Sequence, residues 1–273
     1  MSDSRISRRN NVKVAGSGTR VLMFAHGFGC DQNMWRMLTD LLQHDYRLVT
    51  FDYVGSGQSD LAAFSVRRYA TLEGYASDIV DVIHAHELTD VTLVGHSVSA
   101  VTGMLAAIQA PGRISGLVMV CPSPSYLNDP PDYMGGFERE DMEDLIDMMD
   151  KNYIGWAHHL APLVMGTHAD DALTGAKLTA ELASSFCSTD PLVAKTFARA
   201  TFFSDYRDVL PSCPVPTLVL QSRHDALAAV SVGEYVARHL PRSVLKVLDM
   251  RGHCIHMTDP GLTAAEIRAF APA

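Results

Sequence analysis

A chain of 273 residues, 47% hydrophobic and 19% charged, is long enough to bury a large core and too apolar to be disordered. Its net charge of −9 argues against a nucleic-acid partner, because phosphate binding needs a basic face, and no apolar run approaches the roughly 18 residues of a membrane helix. The five cysteines, Cys30, Cys121, Cys187, Cys213 and Cys254, are an odd set without paired metal spacing and read as reduced thiols of a soluble cytoplasmic protein.

Arg5, Arg8 and Arg9 make the N-terminus basic, but no apolar stretch follows to form a secretion signal. Val21–Ala25 reads as a buried strand running into the glycine turn His26-Gly27-Phe28-Gly29, and Leu38, Leu41 and Leu42 stripe a short helix. Arg47–Asp52 is the next strand, followed by the glycine-rich loop Tyr53-Val54-Gly55-Ser56-Gly57. Tyr75, Ile79, Val82 and Ile83 stand at helical spacing before the strand Val91-Thr92-Leu93-Val94. Gly116–Val120, Pro216–Leu220 and Val244–Leu248 are further strands. Continuous apolar strands separated by helices predict an α/β fold with a mostly parallel sheet covered on both faces.

Residues 126–204 break the rhythm, with helical patterns and no strand signal. Four helices are expected, over Phe137–Asp150, Asn152–Met165, Leu173–Cys187 and Pro191–Phe203, the last capped by Asp190. The division is therefore a core at 1–125 and 205–273 carrying an inserted helical lid at 126–204. The first lid helix sets Glu138, Glu140, Asp141, Glu143, Asp144, Asp147 and Asp150 against Arg139. That acidic face reads as solvated, with a docking surface for a basic partner as the other reading.

The chemistry centres on Gly95-His96-Ser97-Val98-Ser99, where a β-branched strand meets a small-residue helix. Such an elbow thrusts a serine hydroxyl out of a sheet, and bulky neighbours two residues either side would clash. Ser99 stands where the usual pattern has glycine. A lone serine at a strand end is often only a helix cap, so its partners decide. Asp225 follows a late strand and His253 the last one, giving the order Ser…Asp…His at successive strand ends. The Phe28 and Val98 amides are the expected oxyanion donors. His253, directly after Gly252, is preferred to His256 as the base, and Asp225 to His224 as the acid. The His253/His256 pair suggests no metal site, since no third ligand stands near. Asp52 is expected to fix its own loop, and His26, His96, His158 and His159 are read as structural. Phe28, Tyr126, Phe137, Trp156, Phe186, Phe197 and Phe203 are the candidates to line an apolar pocket between lid and core, helix packing being the alternative for each. No cofactor is expected.

Phe24–Gly29, Asp52–Asp60 and Gly95–Ala100 resemble the α/β-hydrolase group of bacterial RsbQ, to which the plant karrikin and strigolactone receptors belong. The likeness continues through Pro122–Pro131, Lys151–Trp156, Phe186–Pro191 and Arg251–Cys254, covering the lid as well as the core. It implies a sheet under a V-shaped four-helix lid and a triad of Ser97, Asp225 and His253. It also implies a sensor that binds or slowly hydrolyses a small apolar ligand and signals to a PAS-domain phosphatase of the sigma-B stress response. Three readings stay open: a signalling serine hydrolase, a metabolic esterase or C–C bond hydrolase, and a ligand-binding regulator without turnover.

Overall fold

Short apolar runs alternating with amphipathic stretches can bury both of their surfaces only as strands sandwiched between helices. The computed structural model describes residues 3–166 and 173–273. In chain order the elements are α1 (Ser4–Arg9), β1 (Lys13–Ala15), β2 (Val21–Ala25), α2 (Arg36–Leu42), β3 (Arg47–Thr50), α3 (Leu72–Ala85), β4 (Val91–His96), α4 (Val98–Gln109) and β5 (Ile114–Val120). Four helices follow: α5 (Arg139–Lys151), α6 (Tyr153–Met165), α7 (Leu173–Ser188) and α8 (Pro191–Phe202). The chain closes with β6 (Thr217–His224), α9 (Val230–His239), β7 (Ser243–Arg251), α10 (Ile255–Thr258) and α11 (Pro260–Phe270).

The seven strands form one sheet in the order β1-β3-β2-β4-β5-β6-β7, parallel except for β1, which runs antiparallel to β3. Register places Phe24, Val94, Val118 and Leu218 side by side across it. These four belong to one apolar cluster with residues of α2, α10 and α11. Their strand neighbours Met23, Leu93, Leu117 and Val219 face the other way, into a second cluster with α3, α4 and α9. This alternation of faces within fully buried strands is the strand period of two.

Helices α5–α8 lie between β5 and β6, and their apolar stripes (Met142, Ile146 and Met149 on α5, Trp156 and Leu160 on α6) join the first cluster. The acidic face of α5 remains outside, opened by a capping box in which the Glu138 amide donates to Asp141 at 2.9 Å. Asp190 accepts from the Leu192 and Val193 amides to start α8. Within the expected lid, residues 167–172 lie outside the described residues. The helices α9, α10 and α11 have no individual counterpart among the expected elements, and neither do α1 and β1 at the N-terminal end. These last two are short, and β1 is exposed at all three positions on the sheet edge, so neither carries a periodic apolar signal.

The parallel strands bring four loop origins to one edge. Gly27 and Phe28 leave β2, Ser97 leaves β4, Asp225 leaves β6 and His253 leaves β7, all at carboxyl ends. That edge is where parallel α/β sheets place their ligands.

Candidate active site

Ser97 adopts φ 56° and ψ −124°, a backbone conformation that non-glycine residues reach only when their surroundings enforce it. The enforcement is visible. Its amide donates to the Val120 carbonyl at 2.8 Å, across to β5. A Cβ on Gly95 would lie 2.2 Å from the Ser99 carbonyl oxygen, so only glycine lets the chain turn this tightly.

Ser99, in the place of the second glycine, has its own function in the turn. Its hydroxyl donates to the His26 carbonyl at 2.5 Å and pairs with the Tyr53 hydroxyl at 2.8 Å. The side chain thereby ties the elbow to the loop that carries Phe28. His26 is held in one tautomer, accepting from the Tyr53 amide at Nε2 (3.1 Å) and donating from Nδ1 to the Gly27 carbonyl (2.9 Å). Asp52 fixes its loop, accepting from the Gln32 and Gln58 amides and from Asn11.

On the far side of the site, His253 Nδ1 donates to Asp225 Oδ2 at 2.7 Å. Oδ1 of the same carboxylate accepts from the Leu227 and Ala228 amides at 2.8 and 3.1 Å. Burial alone would push this carboxyl up. The His253 charge and hydrogen bond, with the two amides, outweigh it and hold Asp225 below the usual carboxylate range. His253 Nε2 is buried and has no hydrogen-bond partner among the described residues, while the Ser97 hydroxyl pairs with the Tyr126 hydroxyl at 3.0 Å. Burial raises the Tyr126 phenol above its ordinary value, so it stays protonated as a donor at neutral pH.

The main chain of His253 is fixed from two directions. Its amide donates to the Val164 carbonyl on α6 at 2.7 Å, and its carbonyl meets His96 Nε2 at 3.0 Å. Gly252, at φ +82°, has no room for a side chain, since a Cβ would sit 2.2 Å from the Met165 carbonyl. The histidine loop and the C-terminal end of α6 are thus locked backbone to backbone.

Ser97 and His253 line one small apolar void of about 30 Å³, with Phe28, Tyr126, Phe186 and Phe202 among its walls. Three of the expected pocket residues, Phe28, Tyr126 and Phe186, are in that wall. Trp156 and Phe197 stand one layer back, their rings packed on Phe28 at 5.9 and 5.7 Å, and Phe197 also stacks on Tyr75 at 4.1 Å. Phe137 lies away from the void, packed against the lower edge of the core cluster. Phe203 faces outward between the guanidinium groups of Arg139 and Arg199. Its neighbour Phe202 takes the wall position instead, because the buried stripe of α8 runs Ala194, Ala198, Phe202 at intervals of four. That spacing was in the sequence and distinguishes the two rings.

His256 is fully buried in α10, packed on Trp35 at 4.3 Å and His96 at 4.6 Å, and both its ring nitrogens lack a protein partner. Burial and the nearby His253 depress it to about 3, which leaves it neutral. Cys30 and Cys254, in the cavity wall, are pushed up by burial and stay inert thiols. One set of groups could in principle share a cation: Cys121, Asp225 and His253 offer ligand atoms within 4.8 Å of one another. The Asp225–His253 hydrogen bond already occupies two of them.

A hydroxyl on a strained elbow, an imidazole held in one tautomer by a buried carboxylate and an apolar cavity touching both can support acyl transfer. Comparison with known proteins accords with that chemistry. The family described as alpha/beta hydrolase fold matches residues 20–260. A probable esterase of Oryza sativa subsp. japonica is 38% identical over 259 residues, 94% of this chain and 93% of that one. A strigolactone esterase of Arabidopsis thaliana is 34% identical over the full length of both chains. The structure of a hydrolase from Oleispira antarctica superposes with a TM-score of 0.95 at 50% identity, covering 99% of this chain and 97% of that one.

Proposed function

The chain belongs to the alpha/beta hydrolase fold family, and from that premise we propose that it is a serine hydrolase of small, largely apolar esters or lactones, serving as a sensor. Ser97 attacks the acyl carbon, His253 takes its proton and returns it to the leaving oxygen, and Asp225 fixes the imidazole and stabilises imidazolium. The Phe28 and Val98 amides receive the oxyanion. Val98 is the first residue of α4, whose leading amides have no intrahelical acceptor, and Phe28 sits in the loop that Ser99 ties to the elbow. The single observation carrying this reading is the 2.7 Å Asp225–His253 pair across the same void as a serine at φ 56°.

Residues 126–204 act as the lid. The sensor part of the proposal is supported by the esterase and receptor names among the relatives, which include a karrikin insensitive receptor of Petunia hybrida at 38% identity. A void of about 30 Å³, against the several hundred typical of small-molecule sites, fits slow turnover and lid movement on binding. The partner proposed is a PAS-domain phosphatase of a stress pathway, and the compartment the cytoplasm, where five unpaired thiols are at home. No described helix is long and apolar enough to cross a membrane.

Stopped-flow mixing with p-nitrophenyl acetate tests the chemistry. The expected trace is a burst of about one p-nitrophenol per chain followed by slow steady release, and Ser97→Ala abolishes the burst. A burst of unchanged size in Ser97→Ala would remove the serine from the reaction.

A further inference from the structure

The void at Ser97 is too small to hold an ester larger than its acyl end, yet it does not stand alone. A groove of about 400 Å³ opens at the surface between α7 and the segment from Cys30 to Arg36. Two side chains, Cys30 and Leu182, line both spaces. They are 5% and 2% exposed, so the partition between open groove and buried void is one side chain thick. The seam above it is held by few bonds. Arg36 pairs with Glu181 at 2.5 Å, and the Ser185 hydroxyl donates to the Gly29 carbonyl at 2.9 Å. Both ends of that ion pair are substantially solvated, and exposed pairs of this kind hold a seam only weakly.

The two spaces differ in chemistry. The void is walled by phenylalanine, leucine and valine, whereas the groove presents Asn33, Ser184, Ser185 and Ser188 beside the Arg36–Glu181 pair. Asp31, also on the groove, spends one oxygen capping its own turn through the Asn33 amide. Arg36 and Glu181 answer each other's charge, Asp31 stays a carboxylate on the groove, and the remaining polar lining, Asn33 and the three serines, is neutral.

Resting on the serine-hydrolase reading above, and giving its substrate a polar end where that reading has a largely apolar one, we infer that the groove is the outer half of the substrate site, entered past Cys30 and Leu182, and that it receives the hydroxylated alcohol portion of an ester whose short acyl end fills the void. The reaction balances as ordinary hydrolysis. The acyl carbon–oxygen bond breaks as the bond to Ser97 Oγ forms, the alcohol leaves through the groove with the proton from His253, and water releases the acid.

The test compares ethyl acetate with glyceryl monoacetate, which share an acyl group, and follows Ser97 modification by diisopropyl fluorophosphate in wild type, Leu182→Trp, Leu182→Ala and Asn33→Leu. Wild type is expected to favour the glyceryl ester at least threefold in kcat/KM. Asn33→Leu, an exposed change on the groove wall, should lower kcat/KM for the glyceryl ester at least threefold and so erase the preference. Leu182→Trp should slow modification of Ser97 at least tenfold, and Leu182→Ala should accelerate it. Equal turnover of the two esters by wild type, or wild-type modification rates in Leu182→Trp, overturns the inference while leaving Ser97 reactive. A wild-type protein whose Ser97 takes no adduct overturns the serine-hydrolase reading and the inference with it.

Discussion

Asp225→Asn is expected to lower kcat by about ten-thousandfold, the scale seen when a triad acid is made neutral, while the protein stays folded. The geometry dictates why. Oδ1 is held by the Leu227 and Ala228 amides, so an asparagine must keep its carbonyl oxygen there and turn its NH₂ toward His253. Nδ1 then becomes an acceptor, the proton moves to Nε2, and the imidazole presents a donor to Ser97 where a base is required. The imidazolium formed during attack also loses its counter-charge. The measurement is kcat on p-nitrophenyl acetate alongside the thermal midpoint. A fall below tenfold in a folded Asp225→Asn protein would show that the carboxylate does not direct the histidine.

A steep loss of stability in mild acid is the second large effect. His26, His96 and His256 are each lowered from the ordinary imidazole value, burial being the largest cause in every case and His256 reaching about 3. Their folded-state affinities for the proton are below those of the unfolded chain, where an imidazole titrates near about 6.5. The unfolded state therefore gains protons first, and stability is lost as pH falls below that value. Each ring that stays neutral while the unfolded chain protonates contributes a slope of about 1.4 kcal/mol per pH unit, against a total stability of roughly 5–15 kcal/mol. Asp225, held low in the folded state, adds a further loss only below about 4, where the unfolded carboxyl begins to protonate. Urea midpoints should thus drop steadily between pH 7.5 and 4.5. His256→Phe, which keeps a ring against Trp35 and removes one titration, should flatten the slope by about 1.4 kcal/mol per pH unit. A midpoint unchanged from pH 7 to 5 would contradict the neutral burial of these rings.

Most of the sheet was legible because its strands are continuous apolar runs that cannot be solvated. Val21–Ala25 and the run before Gly95 were read where the structure has β2 and β4, and the four lid helices differ from expectation by one or two residues at their ends. What remained hidden depends on contacts distant in sequence. Nothing near Ser99 announces that its hydroxyl bonds the His26 carbonyl 73 positions away, and Tyr126 was expected as pocket wall without its bond to Ser97. The Val164 carbonyl that anchors the His253 amide is equally invisible, since backbone pairing across an insertion has no residue signature. Phe203 was expected where Phe202 faces the void; both are phenylalanine, so only phase along α8 tells them apart.

The most direct measurement of the central claim is intact-mass spectrometry after diisopropyl fluorophosphate treatment, with peptide mapping of the site. One adduct per chain is expected on Ser97, absent from Ser97→Ala and formed far more slowly in His253→Ala. An unmodified wild-type chain, or an adduct on any other residue that persists in Ser97→Ala, would contradict that claim.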